Sequence, residues 1–140
     1  MLFRSPSARR GNFILHALGT AAEAYLIQEQ VGQASEMLVD FMATSRNRDW
    51  EWLALYADVF AHFAACEGRV EAAARLIGYA DAAFRRVGSR SAFAVDARSR
   101  ASAIVQAAID AQTIEGLMGE GARMNESLVS AWTLGRASVE

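Results

Sequence analysis

The chain has no lysine: all 14 of its basic residues are arginine, set against 16 acidic residues for a formal net charge of −2. That balance offers no global attraction for nucleic acid or for an anionic membrane surface. Its single cysteine, Cys66, excludes an intrachain disulfide framework and fits a reducing cytoplasm. Its single proline, Pro6, leaves the rest of the chain without a helix breaker of that kind. No apolar run reaches the roughly 18 residues of a membrane helix, and the opening stretch MLFRSPSARRGN lacks the apolar centre of a secretory signal. These absences predict a soluble cytoplasmic protein with no disulfide and no membrane segment.

What is present favours helix. Alanine supplies about one residue in five and strong helix formers dominate, so an all-α fold is expected rather than any sheet. A chain of 140 residues buries roughly two-thirds of its unfolded surface as one domain, enough for a core without a metal or a staple. Residues 1–11 show no apolar period and are expected to be a flexible N-terminal segment. Residues 12–140 read as a single domain of about six to seven helices.

Asn12 is expected to cap a first helix running to about Gln30, with Phe13, Leu15, Leu18, Ala22, Tyr25 and Leu26 at helical spacing. Gly32 is expected to end it. A second helix, Gln33 to Ser45, turns Met37, Leu38, Phe41 and Met42 inward. Asp49 is the expected cap of a third, Trp50 to Glu67, which is apolar on most sides and keeps only a narrow polar line through Glu51, Asp58 and His62. A helix of that kind belongs at the centre of a fold. Gly68 turns the chain into a fourth helix, Val70 to Val87, for which Gly88 is the C-cap. A fifth starts near Ser91. Thr113 is expected to cap a short sixth, broken by Gly119 and Gly121. Asn125 caps a last helix to about Arg136, with Met124 and Val129 spaced as a hydrophobic staple, and this helix is expected to lid the stack.

The segment FAHFAACEGRVEAAARLIGYADAAFRRVG, Phe60 to Gly88, places small residues at Ala61, Ala73 and Ala80 around the turn at Gly68. Small residues let two antiparallel helices approach closely, and the spacing resembles that of a tetratricopeptide-like hairpin, which buries its apolar face by stacking on neighbours. Gly32 and Gly68, 36 positions apart, suggest two divergent repeats. The expected architecture is antiparallel hairpins stacked as a short tetratricopeptide-like solenoid with a C-terminal capping helix.

Two further runs, Ala73-Ala74-Arg75-Leu76-Ile77-Gly78-Tyr79-Ala80-Asp81-Ala82-Ala83 and Glu120-Gly121-Ala122-Arg123-Met124-Asn125-Glu126, resemble the C-terminal repeat region of bacterial transcriptional regulators. In that family a winged-helix DNA-binding domain and a P-loop signal-transduction ATPase precede the repeats. The resemblance covers roughly residues 50–137. This chain departs from the pattern after Gly88, where the usual Pro-containing loop is missing, in its Ala- and Ser-rich fifth helix, and after Glu126, where no second acidic residue follows. It has no GxxxxGK[ST] phosphate loop, so the resemblance implies the repeat module alone, with neither DNA binding nor nucleotide hydrolysis.

No catalytic constellation and no cofactor motif stands out, and the expectation is a non-enzymatic module that binds protein, another copy of itself included. Trp50, Trp52 and Tyr56 are the aromatic candidates for a partner surface. Trp50 and Trp52 diverge by about 200° on one helix, so one belongs to the core while the other can reach a groove or an interface. Arg85, Arg86 and Arg90, with Arg98 and Arg100, gather near the fourth-to-fifth helix turn as a candidate basic patch, although cations near a helix C-terminus also serve the dipole there. Asp58 and His62, four apart, have the spacing of two metal ligands but find no third and read as a surface pair. His16 reads as a surface residue and Cys66 as a small buried hydrophobe. The competing expectation is a small-molecule sensor whose inter-helix pocket is lined by Trp50, Tyr56, Phe60 or Tyr79.

Overall fold

The structure is a computed structural model that describes residues 6–46 and 50–134. Among the described residues there are seven helices and no strands: α1 (Pro6–Ile27), α2 (Val31–Ser45), α3 (Glu51–Cys66), α4 (Val70–Val87), α5 (Ala92–Ala108), α6 (Ala111–Ala122) and α7 (Glu126–Thr133). The all-α expectation holds. α1 starts at Pro6, six residues before Asn12, because proline needs no N–H partner in a first turn and its fixed φ suits that position. Asn12 is therefore a buried residue inside α1 rather than its cap. The expected cap Asp49 lies outside the described residues.

α1–α2 and α3–α4 are antiparallel hairpins closed by the same turn. At the end of α3 the Arg69 N–H bonds the Ala64 carbonyl (2.9 Å) and the Gly68 N–H bonds the Ala65 carbonyl (3.0 Å), with Gly68 at φ 84°. At the end of α1 the Gln30 N–H bonds the Tyr25 carbonyl (2.8 Å) and the Glu29 N–H bonds the Leu26 carbonyl (3.0 Å), with Glu29 at φ 62°. Both are Schellman closures. The turn thus repeats between Glu29 and Gly68. Gly32 takes no part in it and sits inside α2. A glutamate in the left-handed region pays a steric penalty that glycine avoids. Glu29→Gly should accordingly stabilise the protein by about 1 kcal/mol, the gain being trimmed by the larger unfolded-state entropy of glycine; urea denaturation of the two proteins checks it.

α3 is the central helix, packed by α1, α2, α4, α5 and α7. Thirteen of its residues, from Trp52 to Ala65, are buried. Its neighbours contribute Leu15, Ala22 and Leu26 from α1, Leu38 and Phe41 from α2, Leu76, Ile77 and Tyr79 from α4, and Ala97, Ala101 and Val105 from α5. α5 lies mainly on α3 and α6 on α4, while α5 and α6 make only slight contact with each other. The last two long helices therefore flank the second hairpin instead of closing a third one. α7 packs against both α3 and α4.

Local caps account for several boundaries. Ser91 Oγ accepts from the Ala94 N–H (3.2 Å) and opens α5, and Asn125 Oδ1 accepts from the Leu128 N–H (2.8 Å) and opens α7. α6 is capped by Asp110, whose Oδ1 accepts from the Thr113 N–H (2.7 Å), and not by Thr113. Nor do Gly119 and Gly121 break α6, which runs through both. Gly121 faces the Arg75 backbone of α4, and Gly78 of α4 faces the Met118 backbone, each so closely that a Cβ would overlap the opposing carbonyl. The glycines are there to bring α4 and α6 together.

Candidate functional site

The aromatic candidates separate as helical geometry requires. Trp50 is half exposed, at the mouth of a small hollow of about 170 Å³ formed with Met42, Ser45, Arg46, Leu53 and Ser130. Trp52 and Tyr56 are buried and stack at 6.5 Å. Around them, edge on, stand His16 (4.8 Å from Trp52), Phe41 (5.2 Å from Tyr56) and Phe93 (6.0 Å from Tyr56). This cluster ties α1, α2, α3 and α5 together. The Tyr56 hydroxyl is hydrogen-bonded to His16 Nδ1 at 2.7 Å, so the exposed imidazole rim of α1 is anchored to the core. Burial pushes the Tyr56 phenol up, partly countered by its Thr20 hydrogen bond. Gly19 makes room for the Tyr56 ring, since a Cβ there would overlap it.

Tyr79 is buried as well, and its hydroxyl donates to Glu126 of α7 (3.2 Å). Burial and the Glu126 carboxylate hold this phenol well above its ordinary range. Arg86 reaches the same carboxylate (3.1 Å), which fastens α7 to α4. Arg85 is exposed.

Arg90 does something different from a patch residue. It grips Asp58 of α3 through Nε and Nη2 (2.8 and 3.2 Å), reaches Asp81 of α4 (2.6 Å), and lies over the Phe84 ring at 4.8 Å. Arg98 of α5 holds Asp81 in a second bidentate pair (both contacts 2.8 Å). Two arginines and two carboxylates thus join α3, α4 and α5 with no net charge. Asp58 is fully buried, and burial raises its carboxyl above the ordinary value despite Arg90. At Asp81 burial also pushes upward, but the hydrogen bonds and charges of Arg98 and Arg90 outweigh it and the net shift is down. The two carboxylates are thus shifted in opposite directions.

Of the polar line of α3, Glu51 is exposed but Asp58 and His62 are buried. Asp58 points to Arg90, and His62, 4 % exposed, points to Glu23 of α1, 2 % exposed. His62 Nδ1 lies 2.9 Å from each Glu23 oxygen, and Arg100 of α5 reaches Glu23 Oε2 at 2.8 Å. Burial pulls the His62 imidazole down, yet its hydrogen bonds to Cys66 and Glu23, with their charge, outweigh this and push it from 6.5 to about 9. Cys66 is half buried beside it. Among the described residues no group of three acidic, His or Cys side chains is placed to hold a metal ion.

Four of the five gathered arginines, Arg86, Arg90, Arg98 and Arg100, are engaged by Glu126, Asp58 and Asp81, Asp81, and Glu23. Sequence reasoning missed the carboxylates that hold them. Glu23 did carry a signal, because it is the only formally charged residue between Arg10 and Glu29.

Large apolar side chains are exposed at Trp50, Val87, Val95 and Leu128 and on the first two helices. Phe13 (74 % exposed), Ile14 and Ile27 (53 %) project from α1 and Val39 from α2. A second open region, about 420 Å³, lies where α5 meets α6 and is lined by Gln106, Ile109, Asp110, Ile114, Glu115 and Met118. It contains none of Trp50, Tyr56, Phe60 and Tyr79, the last three of which are packed in the core. No helix of the described residues is long and apolar enough to cross a membrane. No family model, no curated protein and no solved structure matches the chain.

Proposed function

We propose that this chain is a non-enzymatic helical interaction module whose α1–α2 end engages another polypeptide. The observation that carries this reading is the outer face of α1, where Phe13 and Ile27 stand 74 % and 53 % exposed on a surface with no charge between Arg10 and Glu29. Solvated helices normally turn charged and polar residues to water, and exposed apolar patches of this kind mark contact surfaces. The resemblance of residues 50–137 to the tail of bacterial transcriptional regulators would make the partner part of a cytoplasmic signalling assembly, with this module as its regulatory or sensor part.

Replacing Phe13 by a photoreactive phenylalanine analogue tests the reading in the cells that make the protein. A cross-linked polypeptide is expected from position 13 and not from the same analogue at Asp96, which is exposed on α5. Failure to cross-link any polypeptide at position 13 would sink it. The groove between α5 and α6 supports a second reading, a small-molecule sensor, since Ile109, Ile114 and Met118 supply an apolar floor and Asp110 and Glu115 an acidic rim. The first reading is preferred because the floor of the groove is only partly exposed, whereas Phe13 and Ile27 on α1 are the most exposed large apolar side chains among the described residues.

A further inference from the structure

We propose that the polypeptide engaged by the α1 face is a second copy of this chain, packed antiparallel about a two-fold axis near Thr20. The inference rests on the interaction-module reading and names its partner. Phe13, Ala17, Thr20, Ala24 and Ile27 are all exposed, and their spacing keeps them within about 40° of one line along the helix. The opposite side of α1, with Leu15, Ala22 and Leu26, is the one buried against α2 and α3. The stripe reads large, small, small, small, large, and it is symmetric about Thr20.

That symmetry matters for a two-fold contact, in which one surface must complement itself. In the antiparallel arrangement Phe13 meets the partner's Ile27 and Ala17 meets the partner's Ala24. The small residues lie at the crossing, where the backbones must come close, and the large ones fill the space where the helices diverge. The only charge within the run, Glu23, is buried under His62 and Arg100 and so need not be desolvated by the contact. Exposed charges bound the stripe with opposite sign: Arg10 at one end and Glu29 at the other. An antiparallel pair brings each Arg10 to the partner's Glu29, while a parallel pair would set arginine against arginine and glutamate against glutamate. Charge thus selects the same orientation as shape.

The test is the solution mass of the full chain across a concentration series, with variants. Wild type should be a dimer, and Phe13→Glu should raise the dimer dissociation constant by about a hundredfold, because a charge would replace an aromatic side chain that the contact buries. Because Phe13 is exposed, the helical circular dichroism of that variant should be unchanged. Arg10→Glu alone and Glu29→Arg alone should each weaken the dimer by up to about tenfold at low salt, and R10E/E29R together should restore it. In a Cys66→Ala background, Thr20→Cys should oxidise to a self-linked dimer. Phe13→Cys should link to Ile27→Cys but not to itself. A strict monomer, a dimer indifferent to Phe13→Glu, or self-linkage of Phe13→Cys would overturn the proposal. A monomer that still cross-links a different polypeptide through position 13 would remove the homodimer and leave the interaction module standing; no cross-link at all would remove both.

Discussion

Gly121→Ala should destabilise the protein by about 3 kcal/mol, while Gly116→Ala, in the same helix, should stabilise it by about 1 kcal/mol. Alanine is intrinsically the better residue at any interior helix position, so the sign of each change is decided by what its Cβ meets. At Gly116 it meets nothing within 4 Å. At Gly121 it would overlap the Arg75 carbonyl of α4, which is backbone and cannot swing aside as a side chain could. The two helices would have to part, opening the contact that buries Leu117. Gly78→Ala should behave as Gly121→Ala does, because its Cβ would overlap the Met118 carbonyl from the other side. Urea unfolding of the three variants decides the matter; equal effects at Gly116 and Gly121 would mean that α4 and α6 do not approach through their glycines.

Glu23→Ala should cost about 3–5 kcal/mol, the range for removing one partner from a buried ionic group. His62 and Arg100 would both lose their anion, and His62 has almost no access to water in its place. The same group predicts a pH dependence. His62 has a folded value of about 9 against an ordinary 6.5, so the folded state holds this proton more tightly than the unfolded one. Its stabilising contribution is complete below about pH 6.5 and is lost as the pH rises through 9. The total loss is of the order of 3 kcal/mol. Denaturant midpoints measured from pH 6 to pH 10 should therefore fall in the wild type and fall much less in His62→Gln. A wild-type profile that stays flat over that range would show that His62 is neutral in the folded protein.

Helix type, and much of helix placement, was legible in the sequence because both depend on neighbours within a few residues. The apolar period located the helices, and Ser91, Asn125, Gly68 and Gly88 marked ends through their own backbone and side-chain preferences. That Trp50 and Trp52 would part company followed from the angle between positions two apart. The first hairpin turn was illegible because Glu29, a residue with no preference for positive φ, occupies the place that Gly68 holds in the second. Its conformation is imposed by the packing of α1 against α2. Asp58 and His62 carried the pattern of a solvated line, and only the arrival of α1, α5 and the α4–α5 turn converted it into buried pairs. The arginines that looked like a patch are held by carboxylates 9 to 77 positions away in the chain. Local sequence thus determined which segments are helical and which faces are apolar. Tertiary structure decided which polar groups are buried together, which glycines are contact points, and which side of α1 stays exposed, because each of these depends on residues that meet only when the chain folds.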